Sequence, residues 1–217
     1  MNYTKAKIFN MTLKNLGIST GVQSASQGDR NTVVLQEFYE TALYKTLNDY
    51  DWGFCNTYSE LTPTLNKHPH PKFLYCYDYP NNCLKIRELY LNINHRDEQE
   101  EKPAIIYAKE FNEKFNVNEF EIACDDAGNK IIFTNISPVI VRYTRLIENE
   151  TLFPPEFVTA LSWYLAFLTA SSITGTRTKT SDCMQIYKQM LREATVADAN
   201  EQHKEDEFDN VYMEARN

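Results

Sequence analysis

Tyr75, Tyr77 and Tyr79 recur at every second position, and an extended backbone would put their rings on one face, where they could stack nucleic-acid bases. No dense Lys/Arg lining accompanies them. That turns the reading toward packing, either between subunits or within a β-rich region. The run then turns sharply at Pro80 and re-enters an extended segment at Cys83-Leu84-Lys85-Ile86-Arg87.

Other residues with chemical potential are weaker. His68-Pro69-His70 could hold a metal loosely, but it sits in a polar excursion without cysteines at ligand spacing, and solvated loop histidines are the expectation there. His95 and His203 lie in similar surroundings. Asp125 and Asp126 are adjacent, whereas a calcium loop alternates its ligands, so Asp125-Asp126-Ala127-Gly128-Asn129 reads as a hairpin turn with Gly128 at positive φ. Paired carboxylates would suit glycoside hydrolysis. With 30 acidic residues such pairs arise without any reaction to serve, so no catalytic residue is singled out.

No phosphate-binding glycine loop, dinucleotide fingerprint, nucleophile elbow or His-Glu-x-x-His helix occurs. Cys55, Cys76, Cys83, Cys124 and Cys183 form an odd set without a Cys-x-x-Cys pair, which predicts reduced thiols in a cytosolic setting. No cofactor or metal is expected. The formal net charge of -8 disfavours adhesion to nucleic acid or anionic membranes. No secretory signal is read at the N-terminus, and no apolar run is read as approaching the roughly 20 residues that span a bilayer. The four Asn-x-Ser/Thr matches, at Asn2, Asn10, Asn135 and Asn149, are therefore read as chance.

The elements that must position these residues follow from periodicity. Ile8, Met11, Leu13 and Leu16 predict a first helix over about 3–16, closed by Gly17. Val34, Leu35, Phe38, Ala42, Leu43 and Leu47 predict a second over about 30–49, capped by Asp29 or Asn31, with Trp52 and Phe54 anchoring its end in the core. Strands are predicted at Cys83–Leu91, Ala104–Lys109, Glu119–Ala123, Lys130–Thr134 and Pro138–Leu146. Loops are predicted at 66–71 and 92–103. Phe153-Pro154-Pro155 opens a buried helix through Phe157–Ile173, ended by Gly175, and a last helix begins near Ser181. Beyond Asn200 the chain is acidic, with isolated apolar residues, and reads as a tail or docking arm.

The expected class is α+β: a four-helix body formed by 1–52 and 152–201, a β-rich insertion over 53–151 between the second and third helices, and an acidic C-terminal tail over 202–217.

Three stretches carry a family likeness: Leu47-Asn48-Asp49-Tyr50-Asp51-Trp52-Gly53-Phe54; Tyr77-Asp78-Tyr79-Pro80-Asn81-Asn82-Cys83-Leu84-Lys85-Ile86; and Ile132-Phe133-Thr134-Asn135 through Val141-Arg142-Tyr143 to Phe153-Pro154-Pro155-Glu156-Phe157, followed by Ala160-Leu161 and Leu165-Ala166. Together, over about residues 5–205, they resemble the head-to-tail adaptor proteins of short-tailed bacteriophages, the tail tubular protein A type. The loops at 66–72 and 92–103 and the acidic end match no pattern of that family.

The resemblance implies a non-enzymatic virion protein of the tail, assembled in the host cytoplasm. It implies a ring of about 12 copies between the portal and the tail nozzle, with double-stranded DNA passing through the centre and no membrane partner. The tail is then the candidate portal-docking arm, anchored by Phe208, Val211, Tyr212 and Met213, while Tyr75, Tyr77 and Tyr79 serve subunit packing or contacts of the β insertion. The alternatives are a tail-associated peptidoglycan hydrolase and a single-stranded nucleic-acid-binding module.

Overall fold

The computed structural model describes residues 2–64, 69–92 and 119–201. Among these the chain is mixed α+β, with four α-helices and two three-stranded antiparallel sheets. The order is α1 (Lys5–Asn15), α2 (Arg30–Asp49), β1 (Asn56–Glu60), β2 (Tyr75–Asp78), β3 (Cys83–Leu91), β4 (Phe120–Cys124), β5 (Lys130–Thr134), β6 (Val139–Arg145), α3 (Pro155–Thr174) and α4 (Thr178–Glu201).

Helix ends follow side-chain and backbone chemistry. Thr4 caps α1, and Gly17, at φ 77°, closes it: the Ile18 N–H reaches the Leu13 carbonyl at 2.9 Å and the Gly17 N–H reaches Lys14 at 2.9 Å. Asp29, not Asn31, caps α2, accepting from the Thr32 N–H at 3.2 Å and the Thr32 hydroxyl at 2.6 Å. At the other end of α2 the indole N–H of Trp52 donates to the Thr46 carbonyl at 2.8 Å, supplying a donor to a carbonyl of the last turn.

α3 is the central helix, packing against α4, α2 and α1. By length and composition it could cross a bilayer, which amends the expectation that no apolar run approaches that length. Its apolarity has a use within the chain: Phe157, Val158, Leu161, Leu165, Ala166 and Ala170 are buried. α4 begins at Thr178, slightly before the predicted start, and covers that helix with Cys183, Tyr187 and Ala194.

One sheet has the order β1-β6-β3 and the other β2-β5-β4. Their facing sides share a core of Tyr77 and Ile132 from the second sheet with Ile86, Leu89, Val139, Val141 and Tyr143 from the first. The central strand β5 is covered on both faces, Ile132 facing the shared core and Ile131 and Phe133 the other side, whereas β6 buries Val139, Val141 and Tyr143 against the shared core and leaves Ile140 and Arg142 on its partly open face. The chain passes between the sheets after β1: the Leu61 N–H donates to Val139 at 3.0 Å, the Asp78 N–H to Thr62 at 3.2 Å and the Thr64 N–H to Cys76 at 3.1 Å. A smaller cluster of Phe73, Ile131 and Phe133 closes the far side of the second sheet.

The predicted strands at 83–91 and 130–134 have the observed bounds, and those at 119–123 and 138–146 are shifted or trimmed by a residue or so. The strand predicted at 104–109 and most of the loop at 92–103 lie outside the described residues. β1 was not predicted. Its sequence, Asn-Thr-Tyr-Ser-Glu, is an edge strand without apolar alternation, and its pairing with β6 alone defines it.

An aromatic cluster joins α2 to α3. The Trp52 and Phe157 rings meet edge-on at 5.1 Å, Phe54 lies 5.0 Å from Phe157, and Phe153 lies 4.9 Å from Phe157. Phe157→Ala is therefore expected to lower the unfolding free energy by about 3–5 kcal/mol in urea titrations. Leu74→Ala, at a side chain 81% exposed, should change it by less than about 0.5 kcal/mol.

Candidate functional site

The three tyrosines do not form one exposed row. Tyr75 is exposed, but Tyr77 is buried between the sheets with its hydroxyl donating to the Ile136 carbonyl at 3.1 Å. β2 ends at Asp78, so Tyr79 lies past the strand, half-buried, with Lys130 Nζ 5.1 Å from its ring centre. Burial, with the neighbouring Cys83, pushes the Tyr79 hydroxyl pKa well above the ordinary phenol value. Tyr77 thus makes a contact inside the β-rich region, and only Tyr75 offers an open ring. Phe208, Val211, Tyr212 and Met213 lie outside the described residues.

His70 departs from the solvated role expected of it. Its ring lies 4.9 Å from Phe73 and 4.6 Å from Phe133, and Nδ1 accepts the backbone N–H groups of Lys72 at 3.1 Å and Phe73 at 3.2 Å. Nε2, which then carries the proton, faces Glu121 at 3.3 Å. The imidazole pins its loop over the second sheet. His68, His95 and His203 lie outside the described residues. Among the described residues no group of three or more His, Cys, Asp or Glu side chains is placed to hold a metal ion.

The other chemical candidates are built into local structure. Asp125 Oδ1 accepts from the N–H groups of Ala127 at 2.9 Å and Asn129 at 2.7 Å, and Gly128 takes φ 84°, forming the predicted turn. Burial pushes up the thiols of Cys76, Cys83 and Cys183, which lowers their thiolate fraction and hence their nucleophilicity. A groove between the sheets carries Glu60, Asp78, Asp125 and Lys130 on its walls, but it is open to solvent and lacks the apolar enclosure that a proton-donating carboxylic acid needs.

The most organised polar site lies where α2 gives way to the strands. Arg142 on β6 places Nη1 2.6 Å from Asp51 Oδ2 and Nε 3.0 Å from Glu88 Oε2. Arg87 on β3 lies 3.5 Å from Asp51 Oδ1, donates from Nη2 to the Tyr50 carbonyl at 2.8 Å, and donates from Nε to the Thr144 hydroxyl at 2.8 Å. The arginine side chains are only 15% and 13% exposed. A register shift between Ile86 and Glu88 brings the adjacent residues Arg87 and Glu88 into one network, which regular alternation would have sent to opposite faces.

Sequence reasoning missed this site. Its only trace is a pair of arginines inside strand-forming runs and an aspartate just before Trp52. The constellation is a strut: each charge meets an opposite charge within the network.

No protein-family model matches the chain, and no curated protein matches it.

The hydroxyl of Tyr90 and the guanidinium of Arg142 hold the Glu88 carboxyl below its ordinary value, against opposing desolvation. A lowered folded-state pKa gives stability above the unfolded value near 4.5 that is lost as pH falls through the folded value. Because Glu88 is 39% exposed, solvent screening limits this to about 0.5 kcal/mol. Glu88→Gln is expected to be slightly less stable than the parent at pH 7 and to lose less stability between pH 7 and 3.5, as read from urea midpoints at the two pH values.

Proposed function

We propose that the chain is a head-to-tail adaptor of a short-tailed bacteriophage, a non-enzymatic virion protein whose copies form a ring between the portal and the tail nozzle. In this reading α1, α2, α3 and α4 make a four-helix body, residues 53–151 form a β-rich insertion projecting toward the next tail component, and residues 202–217 dock on the portal. DNA passes through the ring without being gripped.

The observation that carries the reading is the convergence of residues from separate stretches of family likeness. Trp52 and Phe54 come from the first and Phe153 and Phe157 from the third, with ring centres 4.9–6.2 Å apart in successive contacts. Cys83, Leu84 and Ile86 of the second stretch pack in the same helix-to-strand region or the adjoining sheet core. The likeness therefore falls on residues that set how helices and strands meet, which an adaptor with a different partner at each end must keep fixed.

Charge favours the same role. A conduit that neutralised phosphates would retain the genome through counterion release, whereas an acidic bore lets it slide, and the chain carries a net charge of -8.

The test is electron microscopy of the protein mixed with its portal. Rings of about 12 copies stacked on the portal are expected. A chain truncated after residue 201 should keep its helical circular dichroism and fail to attach. Monomers beside bare portals, or a ring lumen lined chiefly by Lys and Arg, would contradict the proposal.

A further inference from the structure

The side of the first sheet turned away from its partner sheet has a composition that folding alone does not explain. Register places Tyr58 opposite Arg142 and Arg142 opposite Glu88, and in the next row Glu60 opposite Ile140 and Ile140 opposite Tyr90. Directly paired residues share a face, so these six side chains form a patch two rows deep across β1, β6 and β3. Tyr58 and Tyr90 belong to the two edge strands, yet their ring centres are 6.3 Å apart and tilted by 35°, so the rings lean toward each other over β6. Tyr58 is 62% exposed and Tyr90 38%. Two large rings left open side by side on a sheet face are the kind of surface that partners cover.

The charge around the rings identifies the partner's chemistry. The cations beside the rings, Arg142 and Arg87, are sunk at 15% and 13% exposure and lie against Asp51 and Glu88, while the exposed Lys85, paired with Thr144, sits further along β3 away from the rings. Around the rings the carboxylates are the outward groups: Glu88 is 39% exposed, Asp51 33%, and Glu60 is exposed as well. Solvent therefore meets aromatic rings and negative charge together. That pairing suits a guanidinium or ammonium group, which is attracted by ring faces and by carboxylates at once. A nucleic acid or an anionic membrane would be repelled. A second copy would bring the same acidic face and a further net charge of -8.

We propose that this face, centred on Tyr58 and Tyr90, is a docking surface for an arginine- or lysine-bearing segment of a partner protein. The inference does not rest on the adaptor reading and would hold for any partner of that chemistry.

The test is an NMR titration of the full chain with the peptide acetyl-Gly-Arg-Gly-Arg-Gly-amide at low salt, with the corresponding glutamate peptide as control. Saturable shifts centred on Tyr58, Tyr90 and Ile140 with the arginine peptide, and none with the glutamate peptide, are expected. Tyr58→Ser combined with Tyr90→Ser should weaken binding at least tenfold, whereas Tyr58→Phe with Tyr90→Phe, which keeps the rings, should retain it. If the double serine variant loses its amide dispersion, Tyr58→Ser alone is read in its place. Absent shifts, or shifts spread over the exposed carboxylates that the serine variants leave unchanged, would overturn the proposal. So would shifts at this face on raising protein concentration without peptide, which would assign it to a second copy.

Discussion

Asp51 is one carboxylate approached by two arginines, and that shared charge ties two strands to the end of α2. It lies just beyond α2, where the chain leaves helical geometry at Tyr50 and buries Trp52. Arg142 and Arg87 reach it from neighbouring strands, and Arg87 also holds the Tyr50 carbonyl. Two nearly buried guanidiniums without this acceptor would be costly, because removing one partner leaves desolvated charge behind. The apolar packing on either side lacks this directionality. The helical core and the sheet core are separate clusters, with Leu84 of β3 and Leu146 packed against the helical one.

This division suits the proposed adaptor, which would hold two surfaces in a fixed relation. Several described groups that could do chemistry are engaged in structure: His70 pins a loop, Asp125 closes a turn, and Tyr39 and Tyr187 donate their hydroxyls to Glu150 and Asp49 at 3.2 and 2.6 Å. The latter two phenols are pushed far above the ordinary value by burial and by those carboxylates, so they stay protonated and keep donating.

Local rules made much of the architecture readable in advance. α2 and α3 show helical period with caps at Asp29 and Gly175, and β3 and β5 are β-branched or apolar runs bounded by turn residues, so propensity and tertiary packing agree there. β1 was invisible because its five residues form a strand only through β6. The tyrosine period announced a common face but not how far cover extends: Tyr77 sits under the first sheet, while Tyr75, two residues away, lies beyond it. His70 looked solvated because nothing nearby in sequence foretells Phe133. The strut was hidden for the same reason. Asp51 and Arg142 are 91 positions apart, and the bulge that turns Arg87 and Glu88 into one network has no sequence mark.

The most direct test of the strut is the set of backbone N–H residual dipolar couplings of the parent and of Asp51→Ala. One alignment tensor should fit helices and strands together in the parent. In the variant, each group should fit well alone and require its own tensor, because the charge that orients them is gone while both cores remain. A single tensor that fits the variant as well as the parent would show that apolar packing fixes the arrangement without Asp51.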